Sequence, residues 1–210
     1  MILYVCQENF ITDDLQCGFK KNIGCSDAIF AVKSTVNHFV EHGSCVYAAA
    51  LDLKKAFDRV NHFKLFSTLI DSGVPIPVVN VVSNWYSKLF AAIRWNSSLS
   101  YTFSVGSGVR QGSSLSPTLF NLYINAIIVS LKSSDYGCQA HGKFFGCFLY
   151  ADDIIIMSPS LHGLQSMLDI CASVCDRLSV KVNNIKSHCI VFGNCRKRNI
   201  EKCNWVESIK

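Results

Sequence analysis

Short apolar runs of strand length alternate along this chain with longer stretches in which apolar residues recur every three or four positions, and the two patterns predict different elements. Cys45–Leu53 (CVYAAALDL), Phe144–Tyr150 and Ile154–Met157 have the length and the β-branched or aromatic content of buried strands. Ala91–Trp95 and Tyr101–Val105 predict a hairpin around Asn96-Ser97-Ser98, while Val180–Val182 and His188–Phe192 read as two further strands. Ala28, Ile29, Val32, Val36 and Phe39 carry the helical period, which predicts a helix from near Ser26-Asp27 to Val40 with Ser26 as its N-cap. His62–Asp71 and Val78–Leu89 follow as helices, divided by Gly73, Pro75 and Pro77, which stop the first and start the second. Ser116 caps another helix, with Pro117 at its first position and an apolar series from Leu119 to Leu131, and Leu161–Leu178 is the last. No repeat, low-complexity run or linker divides this mixture of strands and helices, so the chain reads as one α+β domain.

The informative places are those where charge interrupts the apolar pattern. Asp152 and Asp153 break what is otherwise one apolar run, so Tyr150-Ala151-Asp152-Asp153 reads as the tip of a hairpin. Packing two like charges between buried strands is costly, and the usual compensation is a bound cation or a retained proton. An ordinary Asp turn is the bland alternative. It loses ground because Cys45–Leu53, about a hundred residues upstream, also ends in a carboxylate, Asp52. Two strands side by side would bring these oxygens together, and two or three carboxylates are what magnesium takes from protein when water and substrate phosphates complete its shell. Two ions about 3.5–4 Å apart would then serve the attacking and the leaving oxygen of an in-line displacement.

Two loops add candidate phosphate chemistry. Lys20 and Lys21 precede the first helix, where a basic loop beside a helix N-terminus can hold phosphate, although a plain solvated loop is the commoner meaning of a lysine pair. Gly106-Ser107-Gly108-Val109-Arg110-Gln111-Gly112 places three glycines and two polar side chains where a backbone can approach a ligand closely.

Composition narrows the setting without naming a function. Half of the 210 residues are hydrophobic, enough for a sizeable core, and the formal charge of +5 is compatible with a polyanionic partner but does not require one. The 11 cysteines include no CxxC pair, which argues against a zinc site, and several fall in apolar segments as small buried hydrophobes, which suits a reducing intracellular setting, nuclear or cytoplasmic. No apolar run has the length of a signal or membrane span, so no membrane partner is expected.

Five segments in order resemble the reverse transcriptases, most closely those of non-long-terminal-repeat (LINE-type) retrotransposons: Gln16–Ile29 (QCGFKKNIGCSDAI), Leu51–His62 (LDLKKAFDRVNH), Gly108–Asn125 (GVRQGSSLSPTLFNLYIN), Tyr150–Asp153 (YADD) and Val180–Gly193 (VKVNNIKSHCIVFG). The resemblance implies a right-hand polymerase: a palm built as an antiparallel sheet with flanking helices, partial fingers, and no thumb. It divides the chain into partial fingers (1–44), palm with a fingers insertion (45–192) and the start of a truncated primer-grip region (193–210). It implies that Asp52, Leu53, Asp152 and Asp153 form the metal site for two Mg2+ ions, with Mn2+ as a substitute, and that Lys186 acts as a general acid toward the pyrophosphate leaving group. Lys20, Lys21, Phe57, Arg110, Gln111 and Gly112 are the implied nucleotide-binding positions, with Phe57 as the ring that excludes a ribose 2′-hydroxyl; Tyr150, Ala151 and Pro117 are structural. Lys20 stands where the family usually has arginine, so a point charge replaces a bidentate fork.

The activity so implied is RNA-directed DNA polymerisation, two-metal transfer of dNTPs onto a DNA primer 3′-hydroxyl with an RNA template. A catalytically inactive remnant of the domain that folds and binds nucleic acid through its basic loops is the alternative reading. An RNA-templated RNA polymerase would share the paired-aspartate hairpin, but a bulky Phe57 argues against ribonucleotides.

Overall fold

The computed structural model describes residues 12–110 and 112–194, so Met1–Cys6, Gln111 and the basic tail from 195 onward lie outside the described residues. The chain forms two compact units, residues 55–123 and residues 12–54 together with 124–194.

The second unit is organised by a four-stranded antiparallel sheet. Its strands are β1 (Val46–Asp52), β8 (Cys147–Tyr150), β9 (Asp153–Ser158) and β10 (His188–Phe192), in the order β10-β1-β9-β8. Strand alternation sorts the residues into two faces. Ala49, Leu51, Cys147, Leu149, Ile154 and Ile156 share one face and are buried. Helix α5 (Leu161–Leu178) packs there, with Gly163 close against the Ser158 hydroxyl. On the other face α1 (Cys25–Glu41) packs over β8 and β1, and at the carboxylate end Asp153 is exposed while Asp52 and Asp152 are half-buried. Because the first face is packed, a one-residue slip would turn Leu149, Ile154 and Ile156 out of the core, and register is thereby specified.

Several elements begin or end differently from the sequence expectation. Ser26 is not the cap of α1; the helix starts earlier, with Gly24 as N-cap and the Asp27 carboxylate accepting the Gly24 N–H at 2.7 Å. The expected strand Phe144–Tyr150 is interrupted. Lys143–Phe144 (β7) pairs with Gln139–Ala140 (β6) as a separate ribbon, because the chain turns at Gly146 so close to Gly137 that a Cβ there would lie 3.0 Å from its Cα. The expected strand at Val180–Val182 is reduced to a single bridge between Val182 and Leu53.

The first unit holds the short helices α2 (His62–Asp71) and α3 (Ile76–Ser87), the second starting two residues earlier than expected with Pro77 in its first turn. The expected hairpin around Asn96 is instead two ribbons of two residues per strand. Phe90–Ala91 (β2) pairs with Phe103–Ser104 (β5), and Arg94–Trp95 (β3) pairs with Ser98–Leu99 (β4). Helix α4 (Ser116–Lys132) begins in this unit and ends in the second, starting at Ser116 itself with Pro117 in its first turn, and its residues Leu119, Phe120, Tyr123, Ile124, Ile127, Ile128 and Leu131 are fully buried. Among the described residues no helix is long and apolar enough to cross a membrane.

Burial pushes the thiols of Cys138, Cys147 and Cys175 up to about 12, so they behave as small hydrophobes rather than nucleophiles. Cys45 departs from the expectation of free thiols, being disulfide-bonded.

Candidate active site

Antiparallel pairing of β1 with β9 sets Asp52 directly opposite Asp153, and pairing of β8 with β9 sets Tyr150 opposite Asp153 on its other side. Residues directly opposite on neighbouring strands project to the same face, so Tyr150, Asp153 and Asp52 stand in a row on one face at one end of the sheet. Asp152 sits beside them on the two-residue tip Ala151-Asp152. Burial raises the Asp153 carboxyl above its ordinary value, the negative charges of Asp152 and then Asp52 raise it further, and Lys186 opposes the shift. Asp152 and Asp52 therefore both act on Asp153, and the Lys186 charge opposes them.

The tip is a strained turn held from outside. Ala151 has φ +56°, a left-handed conformation that costs a residue with a Cβ about 1–2 kcal/mol. The segment Leu15–Gly18 runs beside β8 and compensates: Leu149 N–H donates to the Leu15 carbonyl at 2.8 Å and Cys17 N–H donates to the Leu149 carbonyl at 2.7 Å. The fully buried Gln16 accepts from Gly18 N–H at 2.9 Å and from Ala151 N–H at 3.3 Å through one amide oxygen. Gly18 lies so close that a Cβ on it would meet the Ala151 nitrogen at 2.3 Å. Gln16 and Gly18 are thus part of the site, a role that sequence reasoning missed by reading this segment for its lysines.

Asp52 is held from the other side by the turn after Val182. Asn183 donates its side-chain amide to Asp52 Oδ2 at 2.9 Å and its backbone N–H to the Asp52 carbonyl at 2.7 Å. Asp52 N–H donates to the Ser187 hydroxyl at 3.2 Å, and that hydroxyl donates to the Asn183 carbonyl at 2.8 Å. Lys186 is exposed on the same turn. Leu53, beside Asp52, is buried and bridges to Val182. A groove of about 450 Å3 adjoins the site between α1 and the open sheet face, with Tyr150 and Asp153 among its walls.

The expected nucleotide-binding positions divide between the units. Lys20 belongs to the second, where its ammonium donates to the carbonyls of Asp13 at 2.6 Å and Thr12 at 3.3 Å; Lys21 is exposed. Phe57, Arg110, Gly112 and Pro117 belong to the first. Phe57 is half-buried in a 3₁₀ turn, its ring stacked on Phe120 with centroids 4.2 Å apart. The glycine loop docks on that turn: Gly108 N–H donates to the Val60 carbonyl and Val109 N–H to the Phe57 carbonyl, both at 2.8 Å, and a Cβ on Gly108 would meet the Asp58 carbonyl oxygen at 2.9 Å. Gln111 lies outside the described residues.

Among the described residues no group of three or more His, Cys, Asp or Glu side chains is gathered closely enough to hold a metal ion, so the expected set of Asp52, Asp152 and Asp153 is adjacent on the fold but not closed around one point. The donor types fit a hard cation that keeps most of its own shell: neighbouring carboxylates, one of them with its carboxyl raised by burial and then by the charges of Asp152 and Asp52, are what a divalent ion would relieve.

An antiparallel sheet carrying a carboxylate on a central strand opposite an aspartate-bearing hairpin tip is consistent with part of a reverse-transcriptase palm. The family model for reverse transcriptase (RNA-dependent DNA polymerase) matches residues 3–209, and the chain belongs to that family. It is 30% identical over 196 residues to the Pol polyprotein of the type-2 retrotransposable element R2DM of Drosophila melanogaster, a match that covers 93% of this chain and 18% of that protein. It is 26% identical over 189 residues to the probable RNA-directed DNA polymerase from transposon BS of the same organism, covering 87% of this chain and 20% of that one. The chain thus spans about a fifth of the length of these relatives. In fold it resembles apo telomerase from Candida tropicalis truncated from its C-terminal domain, with a TM-score of 0.70 at 14% identity over 93% of this chain and 41% of that one.

Proposed function

We propose that this chain carries the polymerising centre of a non-LTR retrotransposon reverse transcriptase and joins deoxynucleotides to a DNA primer on an RNA template. The observation that carries the reading is the register pairing of Asp52 with Asp153 beside the Asp152 tip, on an open sheet face. Members of the family work with divalent ions, and we assign Asp52, Asp152 and Asp153 to hold two Mg2+, or Mn2+ in its place, with the Leu53 carbonyl beside them. Bound there, such ions would neutralise charge on the attacking and leaving oxygens. Lys186, within electrostatic reach of Asp153, gives a proton to the departing pyrophosphate.

Lys20, Lys21 and Arg110 are each assigned to nucleotide phosphate, the Lys20 ammonium also donating to the carbonyls of Asp13 and Thr12. Phe57 serves as the sugar gate, and Gln111 and Gly112 are assigned to contact the template and incoming nucleotide. Residues 1–44 are assigned to fingers, 45–192 to palm with a fingers insertion, and 193–210 to the start of the primer grip; the reaction places the chain inside the cell. A telomerase of similar fold, from Candida albicans, is known in complex with a fragment of telomeric RNA, which supports an RNA partner here.

Primer extension tests the proposal. The chain is incubated with an RNA template, an annealed DNA primer, dNTPs and Mg2+, and products are sized. Elongation that ceases in Asp152→Asn supports the reading, and a wild-type chain that never extends the primer overturns it for this chain.

A further inference from the structure

Resting on the reading of Asp52 as a metal-site carboxylate, we propose that Asn183 is the positioning residue that fixes which Asp52 oxygen faces the cation. Among the described residues Asn183 is the one side chain that donates to the Asp52 carboxylate, and it does so to Oδ2 alone. The amide gives this oxygen a fixed partner, and Oδ1 is then the oxygen assigned to the cation. A carboxylate otherwise rotates about its last torsion, so an unheld Asp52 would spread its oxygens over many positions.

The bond does not stand alone. Asn183 N–H to Asp52 carbonyl, Asp52 N–H to Ser187 hydroxyl, and Ser187 hydroxyl to Asn183 carbonyl complete a ring of four hydrogen bonds across the start of the turn. Ser187 is 2% exposed, so its hydroxyl has no water to fall back on and the ring is fixed from inside. Lys54 N–H donates to the Lys181 carbonyl at 2.7 Å just beyond it, which keeps the two segments in register. The same turn carries Lys186, whose charge acts on Asp153. Asn183 therefore couples the place of one metal-site carboxylate to the place of the charge that offsets another. Outer partners of metal ligands act in this way, and their loss weakens metal binding or activity about 10–100-fold.

Mn2+ alone is the probe, its free concentration followed by electron paramagnetic resonance with the full 210-residue chain. Asn183→Leu keeps the side-chain volume and removes the donor, and Asp52→Asn serves as the site control. The expected result is Mn2+ binding about tenfold weaker in Asn183→Leu, with the metal-free unfolding midpoint close to wild type. Unchanged affinity, or a loss matched by a loss of folded fraction, overturns the proposal. If Asn183→Leu does not fold, Ser187→Ala tests the same ring: weaker Mn2+ binding at an unchanged unfolding midpoint supports it and unchanged binding overturns it. If Asp52→Asn binds Mn2+ as wild type does, the carboxylate site itself is wrong and both readings fall; if Asp52→Asn loses binding while Asn183→Leu keeps it, only the positioning role falls.

Discussion

The four-stranded sheet and the paired ribbons are both antiparallel β structure, yet they are specified by different means. In the sheet, one face is packed under α5 with Leu149, Ile154 and Ile156 at 0–1% exposure, and each strand runs four to seven residues. In the ribbons, each strand is two residues long and Trp95, Leu99 and Phe90 are exposed. Burial of one face fixes register, and register fixes which side chains stand opposite each other. Asp52 faces Asp153 because hydrophobic neighbours on the reverse face allow no other alignment. Chemistry placed on the open face of such a sheet inherits the precision of its packed face.

The sharpest way to break the comparison is to remove chemistry from the open face without touching the packed one. Asp52→Asn preserves shape and removes charge; it is expected to cut primer extension by about 10²–10³-fold, the scale of losing one electrostatic stabiliser, while the unfolding midpoint holds or rises. Equal loss of folding and activity would show that Asp52 is structural.

Next come substitutions that test packing. Ile156→Ala on the buried face is expected to cost about 2–5 kcal/mol in denaturant unfolding, whereas Trp95→Ala in the ribbon, 76% exposed, should stay within about 0.5 kcal/mol. Comparable costs would erase the distinction between the two β regions. Gly18→Ala bears on the tip, since its new methyl would meet the Ala151 nitrogen at 2.3 Å. About 1–3 kcal/mol of stability is expected to be lost, together with extension activity, because the displaced atoms belong to the turn carrying Asp152. A variant with full activity would show that the tip tolerates movement.

These contrasts also explain what could be read from the sequence. The apolar runs around Asp52 and Asp152 were legible because buried strands announce themselves by composition, and His62–Asp71, Leu161–Leu178 and His188–Phe192 begin and end where their patterns do. The break at Gly146 was not legible, since it depends on a close approach to Gly137 that no local pattern encodes. Ser26 looked like a cap, but the helix begins at Cys25 with Gly24 as N-cap, its N–H donated to the Asp27 carboxylate. Gln16 and Asn183 were quoted within motifs without a function, because their hydrogen bonds span 131 residues or more of sequence. Eleven cysteines in the sequence could not tell that Cys45 alone of the described ones is disulfide-bonded.

In the first unit, Phe57 offers a smaller effect. Its stacking on Phe120 is worth about 0.5–1.5 kcal/mol beyond area, so Phe57→Val should cost some stability whatever else it does. As a sugar gate it should also raise the ratio of kcat/KM for ribonucleotides over deoxynucleotides, by removing a clash with the 2′-hydroxyl. An unchanged ratio would return Phe57 to a packing role.

The smallest expected effect is a dependence of stability on pH through Asp153. Burial, Asp152 and Asp52 raise its folded-state carboxyl above the unfolded value, so at pH values between the two the folded chain retains a proton that the unfolded chain releases. Below the unfolded value both states are protonated and the group contributes nothing. As pH rises through the window between the two values, stability falls; above the raised value the destabilisation is complete. Asp153→Asn removes the charge, so its unfolding midpoint should exceed wild type at neutral pH, and the difference should shrink to nothing on acidification below the ordinary carboxylate range. Added Mn2+ should narrow the neutral-pH difference from the other side, by stabilising only the wild-type carboxylate cluster. Chemical unfolding of both proteins at several pH values, with and without Mn2+, measures this. A difference independent of pH would mean that Asp153 is not crowded by its neighbours, and the open face would then hold its carboxylates without the tension that favours a cation.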